Sequence, residues 1–157
     1  MKILLATDGS EFSNAAIEML PNIVAKPETT SIKIISAFEH PNPIGTESFA
    51  ISVEYYNDLD KIRQTEATKF VEQAESQILK LFPDQKPDLT TRVIVGSPPQ
   101  IIVETANEWE ADLIIIGSHG YGFWSRVLLG SVSNSVLQHA HCSVLIVRKA
   151  KEETKEK

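Results

Sequence analysis

The sequence predicts an α/β fold, a single domain in which helices cover both faces of an open, doubly wound parallel sheet of five strands, as in Rossmann-like proteins. Some short stretches are apolar on successive residues, which is typical of parallel strands buried on both faces. Longer stretches between them carry apolar residues three and four positions apart, as amphipathic helices do. The two patterns alternate along the whole chain, and this alternation favours right-handed crossovers within one sheet.

Five stretches carry the strand pattern. Four are apolar throughout except for Lys33, and the third along the chain is more polar, which fits a strand with one end near solvent. Ile and Val dominate them, and β-branched residues favour extended backbone. In chain order they are residues 3–6 (ILLA), 32–35 (IKII), 89–95 (LTTRVIV), 113–116 (LIII) and 144–147 (VLIV).

Four helices are predicted between these strands. Pro21 disturbs the first, because proline removes a helical hydrogen bond, and Pro83 ends the second. Ser97 followed by Pro98 is typical of a capping residue and a proline in the first turn of the third helix. The predicted helices cover residues 11–25, 55–82, 98–109 and 131–140.

Composition and charge exclude several kinds of partner. A chain of 157 residues with 42% hydrophobic and 23% charged residues suits one globular domain. Its net charge of −6 offers no basic face for nucleic acid, and no apolar run is long enough to span a membrane. The first apolar run is too short for a signal peptide, so we expect a cytoplasmic protein.

The sequence also predicts the state of Cys142 and of two segments without regular secondary structure. Cys142 is the single cysteine and adjoins an apolar run, so we expect a buried, reduced thiol. Residues 40–52 form a long loop after the second strand, and the charged residues 149–157 form a disordered tail.

The carboxyl ends of three strands mark the expected site. Ligands of open α/β sheets bind outside the carboxyl ends of the strands, where the strand order reverses. Asp8, Ala37 and Gly117 lie at or just after such ends, and Gly117 begins the glycine-rich stretch GSHGYGFWSRVLLGS, residues 117–131. We therefore expect this stretch to contact a ligand.

The glycines and serines of this stretch suit a phosphate. Gly117 and Gly120 would let the backbone turn sharply and approach a ligand. Gly130 and Ser131 would open a helix whose free N–H groups and dipole attract an anion, and Ser131 and Ser133 would add hydroxyl donors. The alternative is that the glycines only turn a loop and Ser131 only caps a helix, but the length of the connection favours a function.

The stretch differs from the common phosphate loops. Neither G-x-x-x-x-G-K-[ST] nor G-x-G-x-x-G occurs in the chain. Arg126 is the only cation of the stretch, so a triphosphate would bring a divalent metal ion to offset its charge. Tyr121, Phe123 and Trp124 could pack over a ligand or against the protein.

The spacing G-x2-G-x9-G-S at Gly117, Gly120, Gly130 and Ser131 resembles the nucleotide motif of the ATP-binding branch of the universal stress protein family. The resemblance covers nearly the whole chain, so it identifies residues 1–148 as one adenine-nucleotide-binding domain. It is carried by ILLATDGSEFSNAAIE near the start, VIVGSPPQIIVETANEWEADLIIIGSHG in the middle and HAHCSVLIVR near the end.

The resemblance implies a ligand and its site. The implied ligand is ATP, or AMP or ADP, with Mg or Mn, and the resemblance places Asp8 near the ribose and the metal. It also implies that the main chain of Ala37 meets the adenine. The implied nucleotide-binding residues are Thr7, Asp8, Ala37, Gly117, Ser118, His119, Gly120, Gly130, Ser131 and Val132.

The resemblance also implies an assembly and a role. It implies the strand order 3-2-1-4-5 and a homodimer formed through the last strand, Val144 to Val147. The favoured role is a regulatory switch of the stress response that binds a nucleotide and acts on an unknown protein partner. The alternative is a slow Mg-dependent ATPase in which Asp8 places the metal and His119 positions water. No residue is marked as a general base, so we name no catalytic residue and expect binding rather than catalysis.

Other chemistries fit the sequence less well. His139, His141 and Cys142 lie close together, but no second cluster completes a zinc site. The G-x-S-x-G motif of many hydrolases does not occur in the chain. A phosphate-receiver domain needs an acid at the end of the third strand, where this chain has VIVGS.

Overall fold

Five parallel strands form one sheet in the computed structural model, which describes residues 1–40, 53–120 and 129–149. Helices follow the strands in alternation, and two short 3-10 turns, Leu20–Asn22 and Pro27–Thr29, precede the second strand. The strands are β1 (Lys2–Ala6), β2 (Ser31–Phe38), β3 (Asp88–Val95), β4 (Leu113–Gly117) and β5 (Ser143–Val147). The helices are α1 (Glu11–Glu18), α2 (Val53–Leu81), α3 (Pro98–Glu108) and α4 (Ser131–His139).

The strand order is β3-β2-β1-β4-β5, which confirms the order 3-2-1-4-5 and the doubly wound fold. β1 occupies the centre, and Leu4 lies in register with Lys33 of β2 and with Ile114 of β4. The order reverses between β1 and β4, so the predicted site adjoins these two strands.

Two hydrophobic layers enclose the sheet, as the consecutive apolar residues of its strands predict. On one side, Ile3 and Leu5 of β1 pack with α1 and α2; on the other, Leu4 and Ala6 pack with α3 and α4. Ile3, Leu4 and Leu5 are fully buried, and each such side chain contributes about 1.5–3 kcal/mol of stability.

Two helix predictions need correction. α1 ends at Glu18 instead of residue 25, because Pro21 cannot continue the helix and lies in a separate 3-10 turn. In α2, Ile62 continues the apolar spacing but is 54% exposed, whereas Ala67, five residues later, is buried. The apolar spacing predicts that the amino-terminal part of α2 packs on the core. In the structure this part of the helix extends beyond the core.

The environment of Cys142 also differs from the prediction. Its thiol is half-buried and lies just before β5, and burial raises its pKa.

None of the helices in the described ranges is both long and apolar enough to span a membrane. Most of the loop 40–52 and the tail after Lys149 lie outside the described residues.

Candidate functional site

A cavity of about 420 Å³ opens at the carboxyl ends of β1, β2 and β4. Nine of the ten predicted site residues line it, and Ser118 does not. The predicted residues at the cavity are Thr7, Asp8, Ala37, Gly117, His119, Gly120, Gly130, Ser131 and Val132. The fold thus brings together parts of the chain that are more than a hundred residues apart.

Ser118 supports the site from behind. It is 1% exposed, and its backbone N–H donates to the Val147 carbonyl at 2.8 Å. Its own carbonyl accepts hydrogen bonds from the Gly130 N–H at 2.8 Å and from the Ser133 hydroxyl at 2.9 Å. Ser118 therefore ties the end of β4 to β5 and to the start of α4.

The amino terminus of α4 faces the cavity without a side-chain cap. Gly130 is the N-cap residue and offers no side chain, and the first helical bond runs from the Asn134 N–H to the Gly130 carbonyl at 2.9 Å. The N–H groups of residues 131–133 consequently have no partner within the helix. Together with the helix dipole they place roughly half a positive charge at the cavity wall.

The two predicted hydroxyl donors of this turn behave differently. Ser131 is exposed and lines the cavity. Ser133 is 2% exposed, and its hydroxyl donates to the carbonyls of Ser118 and Gly130 at 2.9 and 3.0 Å. The expectation that Ser133 donates to a ligand is therefore wrong, because its hydroxyl proton is already donated to the carbonyls of Ser118 and Gly130.

Hydrogen bonds hold the turn after β1 in place. The Asp8 Oδ1 accepts from the Ser10 N–H at 3.0 Å, and the Thr7 hydroxyl oxygen accepts from the Gly9 N–H at 3.2 Å. The other Asp8 oxygen, Oδ2, lies so close to Gly120 that a Cβ on this glycine would be 2.7 Å away. Gly120 thus permits the close approach of the Asp8 carboxylate at the cavity wall.

Packing against α1 gives Gly117 a second reason to be glycine. A Cβ at this position would lie 2.6 Å from the carbonyl carbon of Phe12 and 2.8 Å from the Ser13 nitrogen. These atoms belong to the backbone of α1. The glycine therefore lets β4 end against that helix, while Gly117 also lines the cavity.

Ala37 presents its main chain beyond the end of β1. The ladder between the two strands ends where the Thr7 N–H donates to the Ile35 carbonyl at 2.9 Å, while β2 continues to Phe38. In a parallel sheet every second residue points its N–H and C=O toward the same neighbour. Ala37 follows Ile35 by two residues, so its donor and its acceptor are directed past Ala6 toward the cavity.

An apolar wall completes the cavity and was missed as part of the site. The periodic pattern assigned the side chains of this wall to strands and helices. Their positions, next to a strand end or in the first turns of α3, were the signal that could have identified them as part of the site. The apolar lining side chains that were not predicted are Ala6, Ile35, Pro98, Ile102 and Ile116, and Ser13 is a polar lining residue that was also missed.

The charges of the site are few. Among the described residues lining the cavity, Asp8 is the one acid, and none is lysine or arginine. A single carboxylate together with ligand phosphates is a usual way for proteins to hold Mg²⁺, so the donor set fits such an ion. Arg126 and the aromatic residues at 121, 123 and 124 lie outside the described residues.

The histidines divide between the site and the surface. His119 lines the cavity, with its Nδ1 3.2 Å from the Ser118 hydroxyl and its ring 5.3 Å from that of Phe12. The His139 Nδ1 lies 2.8 Å from the Ser135 carbonyl in α4. No group of three or more potential metal ligands occurs among the His, Cys, Asp and Glu residues that the structure describes.

Comparison with known proteins points to one family. The sequence model of the universal stress protein family matches residues 1–148. Universal stress protein MJ0531 of Methanocaldococcus jannaschii is 34% identical over 152 residues, which are 97% of this chain and 84% of that protein. The solved structure of protein MJ0577 matches with a TM-score of 0.75 and 26% identity over 96% of this chain and 97% of that one. A universal stress protein family member from Arabidopsis thaliana with AMP bound has a TM-score of 0.69 and 18% identity, covering 98% and 95%.

Proposed function

The chain belongs to the universal stress protein family, and from this membership we propose that it binds an adenine nucleotide, with ATP the favoured ligand, as a regulatory switch of the stress response. The proposal places it in the ATP-binding branch of the family and assigns residues 1–148 to one nucleotide-binding domain. The observation that carries it is a single cavity with uncapped helix N–H groups on one side and an apolar wall on another.

The apolar side suits the base. Ile35, Pro98 and Ile102 offer a surface on which a flat aromatic ring can be buried. The N–H and C=O of Ala37 point toward the same space, and adenine carries an acceptor and a donor side by side on one edge. A main-chain donor and acceptor can therefore read the adenine without a polar side chain.

The polar side suits the phosphates. The amide groups of residues 131–133 and the Ser131 hydroxyl can donate to phosphate oxygens, and the dipole of α4 favours negative charge. Since no lysine or arginine is among the described lining residues, a Mg or Mn ion held by Asp8 and the phosphates would balance the remaining charge.

A related fold is known to hold such a ligand. The Arabidopsis protein contains AMP, but at 18% identity its likeness establishes the fold alone. The choice of an adenine nucleotide for this chain therefore rests on its family membership and on its own cavity, and ATP, ADP and AMP are to be compared directly.

Binding is favoured over catalysis. Hydrolysis of ATP builds negative charge on the transferred phosphoryl group, and the described lining residues supply no cationic side chain to stabilise it. The alternative, a slow Mg-dependent ATPase, would use Asp8 to place the metal and His119 to position water. Saturable phosphate release, lost in a His119→Ala variant that still binds ATP, would establish this alternative.

The proposal includes a homodimer through β5. This strand lies at the edge of the sheet and pairs with β4 on one side. An exposed edge with apolar residues, here Val144 to Val147, tends to pair with another strand. Sedimentation analysis of the purified protein would show a dimer, and a monomer at all concentrations would refute this part. An unknown protein partner and a cytoplasmic location also belong to the proposal.

A calorimetric titration of nucleotide-free protein tests the proposal. ATP with and without Mg²⁺, ADP and AMP are each titrated, and GTP serves as the control for base recognition. Saturable binding of an adenine nucleotide, much weaker for GTP, is expected because Ala37 matches the adenine edge. No binding of any adenine nucleotide, confirmed by an independent method, would refute the proposal.

A further inference from the structure

A second cavity of about 200 Å³ adjoins the nucleotide cavity at the carboxyl end of β2. Asp8 and Ala37 line both cavities, so these two residues form the border between them. We call the second one the side cavity. It lies between the end of β2 and α2, and its remaining lining residues are Ser36, Phe38, Arg63, Glu66, Ala67 and Phe70.

The side cavity contains a buried hydroxyl. Ser36 follows Ile32 and Ile34 on the face of β2 that packs against α1 and α2, where both isoleucines are fully buried. Ser36 is 4% exposed, and its hydroxyl has no hydrogen-bond partner among the residues that the structure describes. The other six buried polar residues of the described ranges all form side-chain hydrogen bonds. Since a buried polar group without a partner is costly, a ligand group in the side cavity would stabilise this hydroxyl.

The walls of the side cavity are apolar. The Phe70 ring packs on the turn after β1, where a Cβ on Gly9 would clash with it. Ala67, three residues earlier in α2, is buried, and Phe38 is the last residue of β2. An engineered apolar cavity of about 150 Å³ can hold benzene, so the side cavity has room for a small ring.

The charged residues of the side cavity lie at its rim. Arg63 and Glu66 are exposed on α2. In the described lining the acids Asp8 and Glu66 outnumber the one cation, which disfavours an anion such as a phosphate. The buried lining residues, Ser36 and Ala67, are uncharged, so a cation would lose its hydration there without compensation. The side cavity therefore suits a neutral group with an apolar body and one polar atom for Ser36.

We propose that the side cavity is a subsite for a neutral substituent on the N6 nitrogen of the adenine, and that this substituent has an apolar body and ends in a hydroxyl. Since this subsite rests on the proposed function, its position follows from the Ala37 main chain, which there contacts the N1 and N6 edge of the base. N6 lies outside the ring on this edge, and Ala37 borders the side cavity. A single substituent leaves one hydrogen on N6, so the donor to the Ala37 carbonyl is retained.

ATP analogues with a substituted N6 are the probes for the experiment. N6-benzyl-ATP and its two derivatives with a meta or para hydroxyl are titrated calorimetrically into the nucleotide-free full chain, beside ATP. N6-benzyl-ATP is expected to bind at least as tightly as ATP, because its ring leaves water for an apolar cavity. One of the hydroxyl derivatives is expected to bind roughly 2- to 12-fold more tightly than N6-benzyl-ATP, because the Ser36 hydroxyl gains a partner. Equal or weaker binding of both derivatives would refute the hydroxyl-ended ligand.

Two substitutions distinguish a substituent in the side cavity from one in solvent. Neither Ser36 nor Ala67 lines the nucleotide cavity, so ATP affinity should be unchanged in both variants. Ser36→Ala is expected to abolish the difference between the benzyl and hydroxybenzyl compounds. Ala67→Leu fills the cavity and is expected to weaken N6-benzyl-ATP by about fivefold or more. If both variants bind the substituted nucleotides as the parent protein does, the subsite is overturned.

Thermal denaturation without ligand checks the folding of the variants. Ser36→Ala only removes an oxygen atom, so it keeps the test decisive if the larger side chain of Ala67→Leu prevents folding.

Unsubstituted ATP separates the subsite from the proposed function. If ATP binds and N6-benzyl-ATP binds about threefold or more weakly than ATP, the subsite fails while the proposed function stands. If neither ATP nor any substituted nucleotide binds, both fail.

Discussion

Replacing Ser131 by proline would remove one N–H group from the proposed phosphate site while leaving the backbone path intact. Ser131 is the first residue of α4, where a helix tolerates proline because the N–H has no helical partner. Gly130 has φ −62° and ψ 158°, the extended conformation that proline requires of the residue before it. The chain already has this arrangement where Ser97, with φ −62° and ψ 118°, precedes Pro98 at the start of α3.

The matched control is Ser131→Ala, which removes the hydroxyl but keeps the N–H. The difference between the two variants therefore isolates the amide group. A hydrogen bond to a charged acceptor contributes about 1.5–3 kcal/mol, so Ser131→Pro should bind ATP about 10- to 150-fold more weakly than Ser131→Ala. The proline ring also occupies the position of the lost proton, so it can only weaken ATP binding further.

The assay is calorimetric titration of both variants with MgATP, together with thermal denaturation in the absence of ligand. Similar melting temperatures would show that both variants fold alike, so that a difference in affinity belongs to the site. If Ser131→Pro binds MgATP as tightly as Ser131→Ala, the amino terminus of α4 does not bind the phosphates and the central observation behind the proposed function fails.

Three further substitutions and one alkylation experiment test other features. Asp8→Asn keeps the acceptor for the Ser10 N–H but loses the charge, so Mg²⁺ should no longer strengthen ATP binding in titrations with and without the ion; an undiminished Mg²⁺ effect would remove Asp8 from the metal site. Gly117→Ala should lower the free energy of unfolding in urea by about 1–3 kcal/mol, since the new Cβ meets the backbone of α1, and an unchanged stability would contradict this packing. Ser118→Ala should change ATP affinity by less than about 1 kcal/mol, because the backbone of Ser118 makes the supporting bonds; a large loss in titration would show that the hydroxyl contacts the ligand. Cys142 should be alkylated by iodoacetamide at pH 8 more slowly than free cysteine, because its raised pKa leaves less thiolate, and mass spectrometry showing an equal rate would refute this.

Local patterns account for most of the fold. The consecutive apolar residues of Ile3 to Ala6 and of Leu113 to Ile116 identify buried parallel strands, since such runs need cover on both faces. Pro83 marks the end of α2 within two residues, because it cannot continue a helix. The end of α1 was harder to predict, since Pro21 signals a disturbance but not that the last helical residue is Glu18.

Short-range spacing along the sequence also predicted most of the residues of the site. The spacing of Gly120, Gly130 and Ser131 indicates a phosphate turn, and the alternation of strands and helices predicts that Asp8 and Ala37 share its edge of the sheet. These inferences need only the order of residues along the chain and the rule that parallel strands end together. Their roles toward a ligand stay predictions until the titrations are made.

The sequence by itself determined the elements, their alternation and the edge of the sheet where a ligand would bind, because periodicity and glycine spacing act over a few residues. Only the tertiary structure decided what each residue touches. It placed Gly117 against the backbone of Phe12 in α1, left Ser118 out of the cavity lining, and added Ile102 to the wall. It also brought Lys33 next to Trp109, a residue from the far end of α3. Such contacts join distant parts of the chain, and they depend on strand register and helix packing that no local pattern encodes.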